Sequence, residues 1–309
     1  MPLPGADRTE PFEFFHGSGS PLWCADGDDA WVGDEGMHLL GPHFAVTVQC
    51  RFSGEELPAA VAAWSSGLTE MPKAENGSEF VVNQVAAEPY EPEFGYAPTS
   101  AWVAVGDREF ELAQVPQLGD WVVLSAPVDQ DAVLWVEDDG RAQGVDMRTG
   151  ERVDPVFAYY NGLKADAELA AYAYEGIEIA DGAGTGWVSC GASGAVAHRR
   201  IWREGPGWAA EGHVYLVVEL SWCKDLDSFA WNLDRERSVV IASGEAAETV
   251  EWTETEAENG VVVSAVFEIP DYDAEVSIDF TPVGEVVDHE GGRWEFREEL
   301  ATTHWTATF

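Results

Sequence analysis

The segment His43-Phe44-Ala45-Val46-Thr47-Val48-Gln49-Cys50-Arg51-Phe52 decides the fold. Its even positions Phe44, Val46, Val48, Cys50 and Phe52 are apolar, and Ala45, Thr47, Gln49 and Arg51 between them are small or polar. Side chains alternate across a β-strand with a period of two, so this pattern turns one face to a core and the other to water. The same register returns after His213, where Val214, Leu216, Val218, Leu220 and Trp222 are apolar while Glu219 and Ser221 face the other way.

Each histidine directly precedes its strand, and a second correspondence follows in the same order. Pro127, then Asp131-Ala132-Val133, matches Pro270, then Asp273-Ala274-Glu275-Val276. Each proline closes an apolar run, Val122-Val123-Leu124 in one case and Ala265-Val266-Phe267 in the other. Two ordered correspondences point to an internal duplication, with Phe44 and Val214 expected on equivalent strands.

Hairpin signals surround these strands. Trp102 to Val105, the turn Gly106-Asp107, then Phe110 and Leu112 form one. Val133 to Val136, the turn Asp138-Asp139-Gly140, then Val145 to Met147 form another. Phe229-Trp231-Leu233, Val239-Val240-Ile241, Val261-Val262-Val263, Val276-Ile278-Phe280 and Trp305 to Phe309 are further strands. Short strands at this spacing favour a sandwich over a helix-covered parallel sheet.

Helix is scarce. Leu57, Val61 and Trp64 stand at helical spacing behind Ser53-Gly54-Glu55-Glu56, which resembles a capping box. A second helix is expected over Ala165 to Tyr174, after the turn Asn161-Gly162, and the boundary between domains falls there.

The 309 residues suit two domains, and 46% hydrophobic content with 14 Trp and 14 Phe is enough to fill two cores. Asp and Glu number 57 against 16 Lys and Arg, a formal charge of −41. That balance excludes nucleic acid, whose phosphates need a basic footprint, and disfavours anionic membrane surfaces. The acidity is spread along the chain, as in a solvated surface of a generally acidic or salt-adapted proteome. The alternatives are a face that docks on a basic partner and cation binding by clustered carboxylates. No basic start followed by an apolar run opens the chain, and no apolar stretch is long enough to span a bilayer. The expectation is therefore a cytoplasmic protein with Cys24, Cys50, Cys190 and Cys223 reduced and buried; loss of an export signal would make it extracellular.

Motifs for catalysis are poor. Neither His16-Gly17-Ser18-Gly19-Ser20 nor Gly191-Ala192-Ser193-Gly194 has the spacing of a serine-hydrolase elbow, and both read as turns. Gly182-Ala183-Gly184-Thr185-Gly186 lacks the Lys-Ser/Thr pair of a phosphate loop and reads as an interdomain turn. The seven histidines are scattered, so His43 and His213 are read as opening strands and capping local hydrogen bonds, not as zinc ligands. The acidic loop containing Asp26, Asp28, Asp29 and Asp34 is the metal candidate; no cofactor is predicted, and calcium is a minority possibility because the ligand order of an EF-hand is missing. Trp23, Trp31, Trp208 and Trp294 lie beside turn-like residues and are secondary candidates for sugar binding. Arg199, Arg200, Trp202 and Arg203 form the interaction candidate. Arg200 and Trp202 would share a strand face, and internal ion pairs outweigh a phosphate site.

The second half, with Gly212-His213-Val214-Tyr215-Leu216-Val217-Val218, Asn259-Gly260-Val261-Val262-Val263 and Val266-Phe267-Glu268-Ile269-Pro270, resembles the immunoglobulin-like sandwich of actinobacterial DUF4352 and MPT63-type proteins. The first half looks like a diverged copy through Asp138-Asp139-Gly140 and Asp146-Met147-Arg148-Thr149-Gly150. The resemblance implies a fold, no catalytic residue, and export. The chain thus reads as all-β: two consecutive immunoglobulin-like β-sandwich domains with one or two short helices. An N-terminal sandwich-like domain covers 1–157, a connector 158–176 and a C-terminal sandwich 177–309. The expected function is a non-enzymatic, acidic binding or protein-interaction protein. The alternatives are an inhibitor or immunity-type protein of a basic partner, a carbohydrate- or cation-binding sandwich, and an enzyme with a dispersed site.

Overall fold

The computed structural model describes residues 8–19, 23–24, 31–32, 38–64, 73–85, 92, 94–95, 99–192, 194–242, 249–257 and 260–309. The chain is all-β and sandwich-like, and it divides into two compact units, Met1–Val156 and Phe157–Phe309.

The first unit runs β1 (Arg8–Thr9), β2 (Phe14–Ser18), β3 (Trp31–Val32), β4 (His38–Leu40), β5 (Ala45–Gly54), α1 (Ala59–Trp64), β6 (Lys73–Ala74) and β7 (Ser78–Val85). It continues through β8 (Ser100–Val105), β9 (Arg108–Leu112), β10 (Asp120–Pro127), β11 (Ala132–Asp138), β12 (Arg141–Asp146) and β13 (Arg152–Val153). One sheet has the order β2-β10-β7-β5-β3, with β4 also paired to β5, and the other the order β13-β12-β11-β8-β9. Between them Phe44, Val46 and Val48 pack with Leu124, Val103, Leu134, Val136 and Met147, all essentially inaccessible. Each such side chain contributes about 1.5–3 kcal/mol by leaving water. A second cluster covers the other face of the first sheet, where Trp23, Cys50, Phe80 and Trp121 gather with Leu57 and with Val61 of α1. Strand β7 is therefore buried on both faces, Val81 in one cluster and Phe80 and Val82 in the other.

The second unit runs β14 (Asp166–Leu169), β15 (Tyr172–Ala180), β16 (Thr185–Ala192), β17 (Ala195–Arg200), β18 (Trp202–Arg203), β19 (Gly207–Trp208), β20 (His213–Trp222), β21 (Phe229–Leu233) and β22 (Val239–Ile241). It ends with β23 (Thr249–Ala257), β24 (Gly260–Pro270), β25 (Glu275–Phe280), β26 (Gly284–Asp288), β27 (Arg293–Phe296) and β28 (Thr303–Thr308). Its sheets have the orders β14-β17-β20-β24-β23, β16-β15-β27-β26-β21 and β22-β25-β28. The core is aromatic: Trp222 meets Trp231 edge-on at 4.8 Å and Phe280 at 5.7 Å, and Phe280 stacks on Trp305 at 5.6 Å. The indole N–H groups of Trp222, Trp231 and Trp305 donate to the carbonyls of Trp231, Pro282 and Ala170, so burial strands no polar group there.

The two units repeat one arrangement of turn and sheet order, each within itself, in a register different from the one expected. Pro127 stands opposite Ser78 and Pro270 opposite His213. In both, the residue after the proline donates to the carbonyl of the glycine that opens the partner strand, Val128 to Gly77 and Asp271 to Gly212. Both glycines have positive φ, +85° and +74°, as their turns require. Next, Ala132 accepts from Met147 and Ala274 from Phe309, at the starts of β11 and β25. The counterpart of β20 is therefore β7, which lies in the middle of its sheet as β20 does, while β5 sits nearer an edge. The expected equivalence of Phe44 with Val214 gives way to one of Gly77 with Gly212. The Pro127 and Pro270 correspondence stands.

Other expectations are corrected. Ala165 to Tyr174 carries β14 and the start of β15, with Ala167, Leu169, Tyr172 and Tyr174 buried and Glu168 exposed; alternating burial outweighs the helical propensity of its alanines. The residues 158–176, read as a connector, thus contribute strands to sheets of the second unit. Ser53 and Gly54 finish β5 instead of capping α1, which opens behind Pro58 with Ala62 donating to the Pro58 carbonyl. His16–Ser18 lies in β2, and Gly182–Gly186 closes the β15–β16 hairpin within one unit, with Asp181 Oδ1 accepting from Ala183 and Gly184.

The cysteines, expected reduced, form two disulfides, Cys24–Cys50 and Cys190–Cys223, with Cα atoms 5.5 and 5.6 Å apart. Burial, which was read as protecting thiols, instead brings each pair together inside its own unit. Among the described residues no helix is long and apolar enough to cross a membrane, a statement that does not bear on strands.

Candidate functional site

The tryptophans sort into two groups by strand parity. In β8 the inward positions are Ala101, Val103 and Val105, so Trp102 projects from the opposite face. In β11 Leu134 and Val136 point inward and Trp135 outward. In β16 Val188 and Cys190 are buried, and Trp187 is 63% exposed on the other side. These three indoles break the rule that an alternating strand gives its polar parity to water.

Trp102 and Trp135 are cross-strand partners, with Glu111 beyond Trp102 and Gly144 beyond Trp135 in the same row. Their ring planes are within 15° of parallel and their centroids 6.2 Å apart. A Cβ at Gly144 would lie 3.0 Å from Trp135 Cε3 and 2.7 Å from Val133 Cγ1, so the indole occupies space that any side chain there would take. The face also carries the small residues Ser100, Ala104 and Ala142 and, at one end, the buried Val133 opposite Asp146, and both rings remain half-buried. Carboxylates rim the face at Glu109, Glu111 and Glu137.

The indole N–H groups follow the same division. Those of Trp222, Trp231, Trp305, Trp294 and Trp252 donate to protein oxygens. Those of Trp23 and Trp121 are buried without a partner. Trp102, Trp135 and Trp187 donate to no protein group among the described residues and do not have buried indole nitrogens.

The tryptophans singled out from sequence lie elsewhere. Trp23 is buried beside the Cys24–Cys50 disulfide, and the side chain of Trp31 is outside the described residues. Trp208 pairs with Trp202 in the short β18–β19 ribbon. Trp294 lies edge-on to Phe229 at 5.1 Å and donates to Asp288 Oδ2 at 3.1 Å. That hydrogen bond, joined by backbone N–H groups of Gly292, Glu290 and Gly291, holds the Asp288 carboxyl below the usual carboxylate range. The signal that would have found Trp102, Trp135 and Trp187 is a large aromatic at the polar parity of an alternating strand.

The basic run is split by the end of β17 at Arg200, so Arg200 and Trp202 occupy different strands rather than one face. Arg199 turns inward, 6% exposed, donates to the Asp271 carbonyl and lies 5.6 Å from the Phe309 ring centroid. Burial lowers its pKa, against the opposing pull of Asp271 and Asp273. Arg200 reaches Asp166 at 3.2 Å, and Arg203 reaches Glu251 at 2.8 Å with its guanidinium 5.7 Å from the Tyr215 ring. Trp202 is buried. All three arginines are thus engaged within the second unit.

His43 does not cap locally. Its backbone N–H donates to Asp138 Oδ2 and its ring Nδ1 meets Oδ1, both at 2.9 Å, which fastens the entry of β5 to the β11–β12 turn on the other sheet. His213 does act locally, through Nδ1 and the Glu211 carbonyl at 3.0 Å. Asp26, Asp28, Asp29 and Asp34 lie outside the described residues, and among those described no group of three His, Cys, Asp or Glu side chains is placed to hold a metal ion.

Two shallow concavities lie on the second unit. One, of about 640 Å³, borders the Cys190–Cys223 disulfide with Tyr172, Glu175 and Ser189; the other, of about 490 Å³, follows the charged turn Asp234-Arg235-Glu236-Arg237. Neither contains an outward tryptophan. No family model matches the chain, and no curated protein matches it.

Proposed function

We propose that the chain is a non-enzymatic binding protein of an oxidising, extracytoplasmic compartment, and that it engages its partner through the outward tryptophans of its sheet faces. The observation that carries this reading is the set of three indoles on the water-facing parity of otherwise regular strands, with no acceptor for their N–H groups among the described residues. A side chain of that size placed outward gains less for the fold than one in the core, a cross-strand stack at most for Trp102 and Trp135, whereas aromatic residues dominate recognition surfaces. One disulfide in each unit supports the compartment. The arrangement repeated in the two units supports the immunoglobulin-like reading of the sandwiches, in which the sheets act as rigid scaffolds for surface residues.

The charge of −41 favours a second reading, an inhibitor or immunity-type protein of a basic partner. The two readings separate by salt. Binding to envelope fractions and to basic proteins is measured at low and high ionic strength with the wild type and a Trp102→Ala, Trp135→Ala, Trp187→Ala triple variant. The aromatic reading expects retention at high salt and loss in the variant. Capture abolished by salt and indifferent to the variant would overturn it in favour of electrostatic docking.

A further inference from the structure

We infer that the outer face of the β8–β11–β12 sheet is a binding site for a neutral glycan chain, with Trp102 and Trp135 as its floor. This rests on the binding reading above and assigns the ligand class. Four features of the face converge on a sugar. The near-parallel indoles, 6.2 Å apart, offer two apolar ring faces of similar orientation, suited to consecutive rings of an extended chain. Pyranose rings present patches of C–H groups that pack on such faces.

The surroundings are small. Ser100, Ala104, Ala142 and Gly144 leave the rings partly exposed, and at Gly144 the missing side chain is what lets Trp135 lie where it does. A face intended to be covered by more of its own fold would carry larger apolar residues at those positions.

The hydrogen-bonding inventory is that of a polyol site. Among the described residues the two indole N–H groups have no protein acceptor, and the carboxylates of Glu109, Glu111 and Glu137 supply acceptors around the rim. Hydroxyl groups are donors and acceptors at once, so they can satisfy both. A cationic ligand would use the carboxylates and the ring faces but would leave the two donors unmatched.

Charge selects among glycans. Carboxylates rim the face and the chain carries −41 overall, so uronate- or sulfate-bearing polymers are repelled and neutral ones are not. The equivalent face of the second unit carries Ser277 and Thr306 in place of Trp135 and Gly144, and no glycan is assigned to it.

The test is affinity electrophoresis of the whole chain in native gels cast with soluble neutral polysaccharides (hydroxyethylcellulose, glucomannan, arabinoxylan, soluble starch), with polygalacturonate as the anionic control. Retardation is expected in at least one neutral gel and not in polygalacturonate. Trp102→Ala and Trp135→Ala are each expected to weaken it about tenfold, and Tyr272→Ala, at an exposed aromatic of the second unit, to leave it unchanged. Gly144→Ala is the variant that keeps both indoles; its Cβ displaces the Trp135 ring, so affinity is expected to fall while the thermal transition of the unit is retained. No retardation in any neutral gel, or retardation unaffected by Trp102→Ala and Trp135→Ala, would overturn the assignment. Trp-dependent capture of polylysine without glycan binding would also overturn it, while leaving the broader binding reading in place.

Discussion

The two units are built on the same frame and finished differently. Ala132 and Ala274 occupy equivalent places, each accepting a hydrogen bond from the segment that closes its sheet. From that anchor Trp135 corresponds to Ser277, and the cross-strand row Trp102–Trp135–Gly144 corresponds to Ala242–Ser277–Thr306, with Ala242 donating to the Ser277 carbonyl. The inward positions keep their character, Leu134 and Val136 against Val276 and Ile278. Packing constrains one face of a strand and leaves the other free to vary. What differs between two such copies is therefore where a specialised role is to be sought.

The disulfides are the largest difference that can be removed. They are not equivalent: Cys50 lies within β5, while Cys223 follows β20 and joins β16. With partners 26 and 33 positions apart in sequence, each restricts the unfolded chain by about 3.5 kcal/mol. Replacing Cys24 and Cys50 with serine is expected to lower only the first unit's calorimetric transition, and replacing Cys190 and Cys223 only the second's. A single transition shifted equally by both pairs would mean that the units unfold as one.

The shared turn is expected to respond alike in both. Gly77 and Gly212 have open space where a Cβ would be placed, so substitution by alanine meets only the backbone penalty of positive φ, about 1–2 kcal/mol in each unit. A cost confined to one unit, measured by denaturant titration, would break the equivalence.

The smallest contrast is in pH. Burial raises the pKa of Tyr172, with Tyr174 adding to it, and burial also raises Tyr174 against hydrogen bonding with Thr303. The folded chain then keeps protons that the unfolded chain loses above about pH 10, so their contribution is complete below that value and is lost as pH climbs through it toward the folded-state pKa. On the acid side, the hydrogen bond from His198, opposed by burial and assisted by Arg200, lowers Asp166. Its contribution is present above about pH 4 and lost as pH falls through the folded value. The second unit's transition is thus expected to decline at both extremes, with the phenolate absorbance of Tyr172 and Tyr174 appearing only on alkaline unfolding. Tyr172→Phe should flatten the alkaline limb; an unchanged limb would remove Tyr172 from the account.

Much of this frame was legible in the alternation of β20 and of β5 as far as Val48, in the two hairpins of the first unit and in the proline correspondence; past Val48 a bulge turns Cys50 and Phe52, expected on the same face, into the cluster on the other side of the sheet. Strand β7 was not, because Phe80, Val81 and Val82 are all buried and a strand covered on both faces has no period of two to read. Its absence led the duplication to be anchored on His43 instead of Gly77. The cysteine pairing was hidden for another reason: spacing records neither which strands become neighbours nor which side chains share a cluster. The outward tryptophans were visible as departures from alternation, although tryptophan's usual place in cores argued for overlooking them.

The turn that joins Gly77 to Val128 and Gly212 to Asp271 also sets the order in which the protein can assemble. Strand β20, already beside β17, receives its second partner only when Pro270 reaches His213, and β7, already beside β5, only when Pro127 reaches Ser78, after whole strands of the opposite sheet have intervened. Pairings of such long sequence separation form slowly, and until they form both central strands expose apolar runs. Dense negative charge opposes the meeting of two incomplete chains during that interval. The acidity that accompanies this architecture thus serves the nascent protein as well as the finished one, by keeping each copy apart while its latches close.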